Sequence, residues 1–162
     1  MPFRRSFLLL VSLFSLGGVG LAVYLQDLLH LMPCKYCILQ RYAYLLIGLF
    51  ALIASLIPRM REVWSRLFAF LAFVSSITGL WAVYENLVAM FDKEIVCGRD
   101  KVEEALNGLW LAREWPSLFQ INGFCGDQTP PIVGLPLPVW SALAFVFLST
   151  ILFLSLFPAR RY

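Results

Sequence analysis

The sequence predicts an all-α integral membrane protein, an antiparallel bundle of four transmembrane helices with a long loop on one side. Of its 162 residues, 60% are hydrophobic and 14% are charged, whereas soluble domains carry about 25% charged residues. Four stretches each provide the roughly 20 apolar residues that a helix needs to cross a bilayer. The net charge of +3 is small and lies in short clusters, so composition does not indicate a nucleic-acid-binding protein.

The four predicted spans form a single membrane domain without internal repeats. The first and the fourth contain no charged residue, the second contains Arg41, and the third contains Glu85 near its end. Prolines or basic residues follow several of them, as expected where an apolar helix leaves the bilayer. The spans cover residues 7–25, 38–57, 67–88 and 139–157.

The N-terminal sequence RRSFLLL also resembles an export signal, and Gly20-Leu21-Ala22 loosely resembles a cleavage site. The apolar run is longer than the core of a usual signal peptide, which has about 7–15 residues. Three further spans follow it. We therefore expect this segment to be retained as the first transmembrane helix.

Basic residues are distributed unevenly between the two sides of the predicted bundle. Residues 1–6, 58–66 and 158–162 hold seven arginines against one acidic residue. The links on the other side, residues 26–37 and 89–138, hold five basic residues over a much longer stretch of chain. The positive-inside rule therefore predicts that both termini are cytoplasmic.

The same orientation places all four cysteines on the outer side of the membrane. Cys34 and Cys37 precede the second span, and Cys97 and Cys125 lie in the long loop. Disulfides form and persist in the oxidising compartment on that side. An even number of cysteines there is compatible with disulfides, and equally with a tetrahedral metal site.

The long outer loop contains a segment with helical periodicity. In Val102–Leu118, apolar residues recur at intervals of three and four, which predicts a short amphipathic helix. Trp110 and Trp115 suit the membrane–water interface, where aromatic rings collect. A helix packed on the outer face of the bundle is the alternative, since amphipathicity alone does not distinguish the two.

Several roles for the cysteines fit the spacing poorly. A c-type haem site requires histidine directly after C-x-x-C, but Ile38 follows Cys37. Cys97 and Cys125 are 28 positions apart, unlike the paired motifs of an all-cysteine zinc site. His30 is the only histidine and we expect it to be solvated, so no metal site is predicted. Two purely structural disulfides are disfavoured because a C-x-x-C closes a small loop and removes little chain entropy.

The spacing of Cys34 and Cys37 suits thiol–disulfide exchange. One thiol of a C-x-x-C can be attacked from outside while the second resolves the mixed disulfide. The pair lies at the predicted start of a helix, and both a helix N-terminus and a nearby cation stabilise a thiolate. Arg41 provides that cation, because it follows Cys37 by four positions and so shares its helix face.

Arg41 itself stands inside the second predicted span. An arginine at the centre of a span costs roughly 2.5–3.5 kcal/mol on insertion scales and less at its edge, so it is a candidate functional residue. The alternative is that Arg41 only reaches the lipid headgroups from the rim of the bilayer. Its position beside the C-x-x-C favours a functional role, in which the cation stabilises a thiolate and a reduced, anionic partner such as a quinol.

At these residues the chain resembles the DsbB family, inner-membrane proteins that form disulfide bonds in Gram-negative bacteria. The resemblance rests on PCKYCILQRYAY, on the lone Cys97, on LFQINGFCGDQ and on GLPLPVW at the entry to the fourth span. It covers nearly the whole chain, and the C-x-x-C followed by an arginine is its most specific part. The family implies a quinone-dependent thiol oxidoreductase that reoxidises a periplasmic, thioredoxin-like DsbA-like oxidase, with ubiquinone or menaquinone as acceptor.

The resemblance also implies a role for each cysteine. Cys34 and Cys37 would form the disulfide that a membrane quinone regenerates, with Cys37 next to the quinone ring. Cys97 and Cys125 would form the loop disulfide that is offered to the partner. Cys97 would join the partner in a mixed disulfide, and Cys125 would exchange with Cys34.

Three further residues would contribute to the quinone site. Arg41 would hold a quinone oxygen, and Leu137 would belong to the pocket. Asn86 stands where the best-known members have histidine. Because asparagine cannot carry charge, we expect a different quinone preference or pH response. Phe124 replaces the acidic residue that often precedes the second loop cysteine, at the surface that faces the partner.

Two other functions stay open at the level of the sequence. A relative of vitamin K epoxide reductase would also combine a helical bundle, a C-x-x-C and a quinone. Its C-x-x-C typically lies late in the bundle, whereas Cys34 precedes the second span. The other alternative is a non-enzymatic membrane subunit whose cysteines form structural disulfides.

Overall fold

The computed structural model describes residues 2–57, 62–91, 101–123, 131 and 133–157, with side chains from residue 5 onward. In chain order the helices within these ranges are α1 (Pro2–Leu29), α2 (Lys35–Leu56), α3 (Glu62–Phe91), α4 (Lys101–Gly108), α5 (Trp110–Glu114), α6 (Pro116–Phe119) and α7 (Leu137–Leu156). The predicted all-α membrane fold is confirmed, since α1, α2, α3 and α7 are each long and apolar enough to cross a membrane.

Each of these four helices contains most of one predicted span. The longest, α3, has 30 residues, more than the roughly 20 that a bilayer requires. A helix can continue beyond the bilayer, so helix bounds do not fix where the membrane lies. The division into spans and links therefore stays a prediction.

The four long helices close into a ring around an apolar core. α1 packs on α2, α2 on α3, α3 on α7 and α7 on α1, with the most extensive contact between α2 and α3. Small side chains let helix backbones approach closely in membranes, and both helices of that pair contribute alanines to the core. These are Ala43, Ala51 and Ala54 of α2 and Ala69 and Ala72 of α3.

Two glycines make close approaches in the middle of the bundle. A Cβ at Gly48 would lie 2.7 Å from Leu16 Cγ on α1, and Ser12 Oγ donates to the Gly48 carbonyl oxygen at 2.9 Å. A Cβ at Gly79 would lie 2.2 Å from the ring of Phe145, which is fully buried. These contacts fix α1 against α2 and α3 against α7.

The outer surface of the bundle is covered by large apolar side chains. They occur on all four long helices, for example Leu13, Leu49, Phe70, Trp81 and Phe147, each between 49% and 72% exposed. Soluble monomers rarely expose contiguous apolar patches of this extent. The surface suits lipid acyl chains instead.

The outer-loop segment predicted as a short amphipathic helix is three helices rather than one. Leu109, between α4 and α5, is extended with ψ of 147°. Trp115 ends α5 with φ of −127° and ψ of 70°, and it precedes Pro116. The ring of a proline disfavours the helical conformation of the residue before it, which explains the second break.

The three loop helices pack on one end of the bundle. Leu106 of α4 is buried against Ile38 of α2 and Ile121, so α4 docks beside the start of α2. Trp110 and Trp115 remain 65% and 49% exposed, with their rings in edge contact at 5.8 Å. The loop thus combines a face packed on protein with exposed aromatic rings that suit the membrane interface.

Candidate functional site

Cys34 and Cys37 lie together at the start of α2. Cys34 is the N-cap residue, and its Sγ accepts a hydrogen bond from the Cys37 backbone N–H at 3.4 Å. This bond satisfies one of the N–H groups that a helix start leaves without an intrahelical partner. The Sγ atoms of the two cysteines are 3.1 Å apart. Each sulfur is therefore within direct reach of the other.

Asn86 of α3 contacts both of these sulfurs. Its Oδ1 lies 3.8 Å from Cys34 Sγ, and its Nδ2 donates to Cys37 Sγ at 3.7 Å. The side chain is buried. A hydrogen-bond donor directed at Cys37 Sγ favours negative charge on that sulfur.

A cavity of about 270 Å³ borders the two thiols and is lined by α1, α2, α3 and α7. It brings together five residues that the sequence and the resemblance singled out: Cys34, Cys37, Arg41, Asn86 and Leu137. Its apolar wall includes Phe14, Leu21, Leu25, Met90 and Ala144. A mostly apolar cavity with a few polar groups at one place is typical of a site for a small molecule.

Arg41 connects the cavity wall to the outer loop. Its guanidinium donates to the Leu118 carbonyl oxygen and to Gln26 Oε1. Gln26 Nε2 in turn donates to the Ser117 carbonyl oxygen at 3.1 Å. Arg41 is only 6% exposed, whereas a side chain that merely reached for lipid headgroups would lie open at the bundle surface. Its contacts hold α6 against α1 and α2.

Gln40, which the sequence analysis did not single out, lies in the same wall. Its Oε1 accepts a hydrogen bond from Ser141 Oγ of α7 at 2.8 Å. Its Nε2 is buried and has no hydrogen-bond partner within the described part of the chain. The sequence signal for Gln40 was a polar residue inside an apolar span, three positions after Cys37 and on its face.

The segment after α6 is docked on the residue that precedes the C-x-x-C. The N–H groups of Asn122 and Gly123 both donate to the Pro33 carbonyl oxygen, at 3.2 and 3.1 Å. A Cβ at Gly123 would lie 2.2 Å from the Met32 carbonyl oxygen, so this approach requires glycine. The outer loop is thereby held beside the C-x-x-C at Gly123, which precedes Cys125 by two residues in the sequence.

Three residues of the sequence-based hypothesis, Cys97, Phe124 and Cys125, lie outside the described residues. His30 is exposed at the end of α1 with φ of 50°. Glu85 is half-buried near the end of α3, and it is not among the residues that line the cavity.

Comparison with known proteins places the chain in a family. The model of the family described as disulfide bond formation protein DsbB matches residues 4–155. The chain belongs to the DsbB family. Disulfide bond formation protein B 1 of Pseudomonas putida is 38% identical over 158 residues, which cover 98% of this chain and 93% of the relative. Disulfide bond formation protein B of Ralstonia nicotianae is 32% identical over 97% of this chain and 96% of the relative.

Membership of the DsbB family decides between the functions that the sequence left open. The chain is a protein-disulfide oxidoreductase, not a non-enzymatic subunit, and the family matched is not that of vitamin K epoxide reductase. It is a multi-pass protein of the bacterial inner membrane. The family further indicates a quinone-dependent role and interaction with a periplasmic disulfide oxidase.

Proposed function

We propose that this DsbB-family chain passes electrons from a reduced, DsbA-like periplasmic oxidase to membrane quinone and so regenerates the disulfide of that oxidase. The observation that carries the proposal is the position of Cys34 and Cys37 in the wall of a largely apolar cavity. A thiol pair that is oxidised by a lipid-soluble acceptor needs such a cavity beside it. Family membership supports the same reaction.

The residues around the cavity fit a quinone. A quinone carries carbonyl oxygens on its ring and an apolar tail, so its site needs hydrogen-bond donors at one part of the wall and apolar side chains at another. Arg41 is a donor, and so is Gln40 Nε2, which has no partner in the part of the chain that the structure describes. Phe14, Leu21 and Leu137 are apolar. Either ubiquinone or menaquinone satisfies these requirements.

Three side chains support oxidation of the dithiol. When bound, the quinone takes up the two electrons and two protons that are released as Cys34 and Cys37 become a disulfide. Asn86 Nδ2 donates to Cys37 Sγ and so favours the thiolate, which is the reactive form of the thiol. Arg41 adds a positive charge to the same wall, and Leu137 adds an apolar contact for the ring.

The loop cysteines would connect this dithiol to the partner. A partner thiolate attacks Cys97 in the Cys97–Cys125 disulfide, and the second partner thiol resolves the mixed disulfide, which leaves the partner oxidised and both loop thiols reduced. Cys125 then attacks Cys34 in the Cys34–Cys37 disulfide and releases the Cys37 thiolate. Attack of Cys97 on Cys125 restores the loop disulfide and leaves Cys34 and Cys37 reduced.

Docking of the loop supports the exchange between Cys125 and the Cys34–Cys37 disulfide. Asn122 and Gly123 are bonded to the Pro33 carbonyl oxygen, directly before Cys34. Cys125 follows Gly123 by two residues, and consecutive Cα atoms are about 3.8 Å apart. The docked segment therefore limits how far Cys125 can lie from the C-x-x-C.

We infer the orientation of the bundle from the two ends of the structure. The C-x-x-C, α4 to α6 and the start of α7 belong to one end. Arg5, which donates to the Ile57 carbonyl oxygen, and Arg66, which pairs with Glu62, belong to the other. The positive-inside rule favours the second end as cytoplasmic, with both termini there and all four cysteines in the periplasm.

The test is single-turnover reduction of quinone by chemically reduced protein without oxygen. With ubiquinone that carries one isoprenoid unit, Cys97→Ser is expected to form about one quinol per protein, because the C-x-x-C is intact. Cys37→Ser is expected to form none. Equal yields from the two variants would contradict the assignment. Repeating the measurement with a short-chain menaquinone shows which acceptor reacts faster.

A further inference from the structure

We infer that the side-chain amide of Gln40 donates a hydrogen bond to a carbonyl oxygen of the bound quinone and thereby positions its ring beside Cys37. This inference rests on the proposed function and adds a binding residue to it. Gln40 lines the cavity, is 7% exposed, and follows Cys37 by three positions on the same face of α2.

The hydrogen bond from Ser141 determines which end of the amide is available. Ser141 Oγ of α7 donates to Gln40 Oε1 at 2.8 Å, which leaves Nε2 as the end without a partner in the described residues. Ser141 lines the same cavity. The amide is therefore held by a second helix with its donor end available.

A buried donor without an acceptor is destabilising, because it has lost its hydrogen bonds to water. Buried amides in proteins are almost always paired, so an Nε2 without a partner among the described residues suits an acceptor that a ligand brings. The adjacent cavity is where such an acceptor can reach it. A ring carbonyl oxygen can only accept a hydrogen bond. It can therefore pair with the N–H of Gln40 Nε2 but not with Gln40 Oε1.

The neighbouring Arg41 does not make Gln40 redundant. Its guanidinium already donates to Leu118 and Gln26, and these contacts hold α6 in place. Gln40 of α2 provides a neutral donor, and its amide is held by the hydrogen bond from Ser141 of α7. We therefore assign it the positioning of one carbonyl oxygen, separate from the charge that Arg41 supplies.

The experiment measures quinone binding to quinone-free protein in lipid nanodiscs. The probe is ubiquinone with one isoprenoid unit and 13C-labelled carbonyls. Its binding is measured by the rise in the thermal unfolding midpoint of the protein, and the hydrogen bonds to its carbonyls are measured by their infrared bands. Gln40→Met keeps the volume and removes the donor. It is expected to raise Kd about five- to tenfold and to shift one carbonyl band to the higher frequency of a carbonyl with a weaker hydrogen bond.

Ser149→Ala is the matched control. Ser149 Oγ of α7 donates to Ser76 Oγ of α3 at 2.9 Å, so the variant also removes one interhelical hydrogen bond of α7, but Ser149 is not among the residues that line the cavity. Kd and both carbonyl bands are expected to match those of the wild type. Ser141→Ala, which frees the Gln40 amide to rotate, is expected to raise Kd about two- to threefold.

The outcomes separate the inference from the proposed function. If the Kd and carbonyl bands of Gln40→Met equal those of the wild type, the role of Gln40 is overturned. The proposed function still stands in that case, provided that the wild-type protein binds quinone. If Gln40→Met does not fold, Ser141→Ala decides, and a Kd equal to that of Ser149→Ala overturns the inference. Absence of any quinone binding by the wild type would contradict both.

Discussion

The C-x-x-C end of the bundle and its centre use buried polar residues in different ways. At the centre, Ser149 pairs with Ser76 across α7 and α3, and Ser12 of α1 is bonded to a carbonyl oxygen of α2. The space there is filled, because Phe145 packs directly over Gly79. Ser12, Ser76 and Ser149 thus link helices, whereas the buried Ser15 Oγ has no hydrogen-bond partner among the described residues.

At the C-x-x-C end, larger polar side chains surround open space. They come from α1, α2, α3 and α7, and two of them, Gln26 and Arg41, also donate to carbonyl oxygens of the outer loop. They are Gln26, Gln40, Arg41, Asn86 and Ser141. Among the described residues Gln40 Nε2 has no hydrogen-bond partner, and Gln40 lines the cavity. The difference shows that the centre mainly holds helices together, whereas the C-x-x-C end combines a cavity with contacts to the outer loop.

Among substitutions outside the cysteines, the largest effect on function is expected from Arg41→Met. The change removes two hydrogen bonds of a charged group, which are worth about 1.5–3 kcal/mol each, together with the positive charge of the cavity wall. We expect the apparent KM for quinone to rise about tenfold or more, together with a loss of stability from the two missing hydrogen bonds. Steady-state quinone reduction at several quinone concentrations measures it.

Arg66→Met is the control for the loss of an arginine. Arg66 pairs with Glu62 at 2.8 Å, with both side chains exposed, and such surface pairs are worth about 0–1 kcal/mol. Its apparent KM for quinone is expected to equal that of the wild type. Unchanged kinetics in Arg41→Met as well would leave Arg41 only its role in holding the outer loop.

At the bundle centre, Gly79→Ala is expected to lower the free energy of unfolding by about 1–3 kcal/mol. The new Cβ would lie 2.2 Å from the Phe145 ring, which stacks on Tyr44 at 4.2 Å between centroids and has little room to move. Denaturant-induced unfolding in detergent micelles measures the change. Gly17→Ala is the control, because nothing lies within 4 Å of its Cβ position, and equal stability of the two variants would contradict this account of the centre.

The smallest effect is expected from Gly123→Ala, which tests loop docking. The added Cβ would meet the Met32 carbonyl oxygen, so the segment has to lift from Pro33 and lose hydrogen bonds worth about 0.5–1.5 kcal/mol each. Amide exchange of residues 121–123 is expected to accelerate about five- to tenfold. Mass spectrometry of peptic fragments measures the exchange.

Gly108→Ala is the corresponding control in the same loop. Nothing lies within 4 Å of its Cβ position, so amide exchange at residues 121–123 is expected to stay at the wild-type rate. If the proposed relay is right, Gly123→Ala alone also slows formation of the Cys34–Cys125 disulfide. Identical exchange in the two variants would show that the docked segment does not depend on glycine.

Much of the fold followed from local sequence patterns. Long apolar windows predicted the four long helices, because the bilayer requires about 20 apolar residues per span wherever it is crossed. The loop was predicted less well. Its periodicity indicated an amphipathic helix, but Pro116 restricts Trp115, and the segment is divided into three helices.

The candidate site was predictable only where its residues are close in sequence. Cys34, Cys37 and Arg41 share one helix start, so their spacing alone indicated a common face. Asn86 and Leu137 were named through family resemblance, and no local pattern joins them to the C-x-x-C. Gln40 was overlooked because its partner, Ser141, is 101 positions away.

The sequence by itself determined the number of long apolar helices, the position of the C-x-x-C at the start of one of them, and the charge asymmetry that predicts orientation. Hydropathy and short-range spacing are local properties, and they do not depend on how helices pack. Only the tertiary structure decided that Asn86 contacts both sulfurs and that Arg41 holds the outer loop. It also decided that Gln40 Nε2, without a partner among the residues described, belongs to a side chain that lines a cavity. These features arise where four helices and a loop meet, and no single helix contains the information that brings them together.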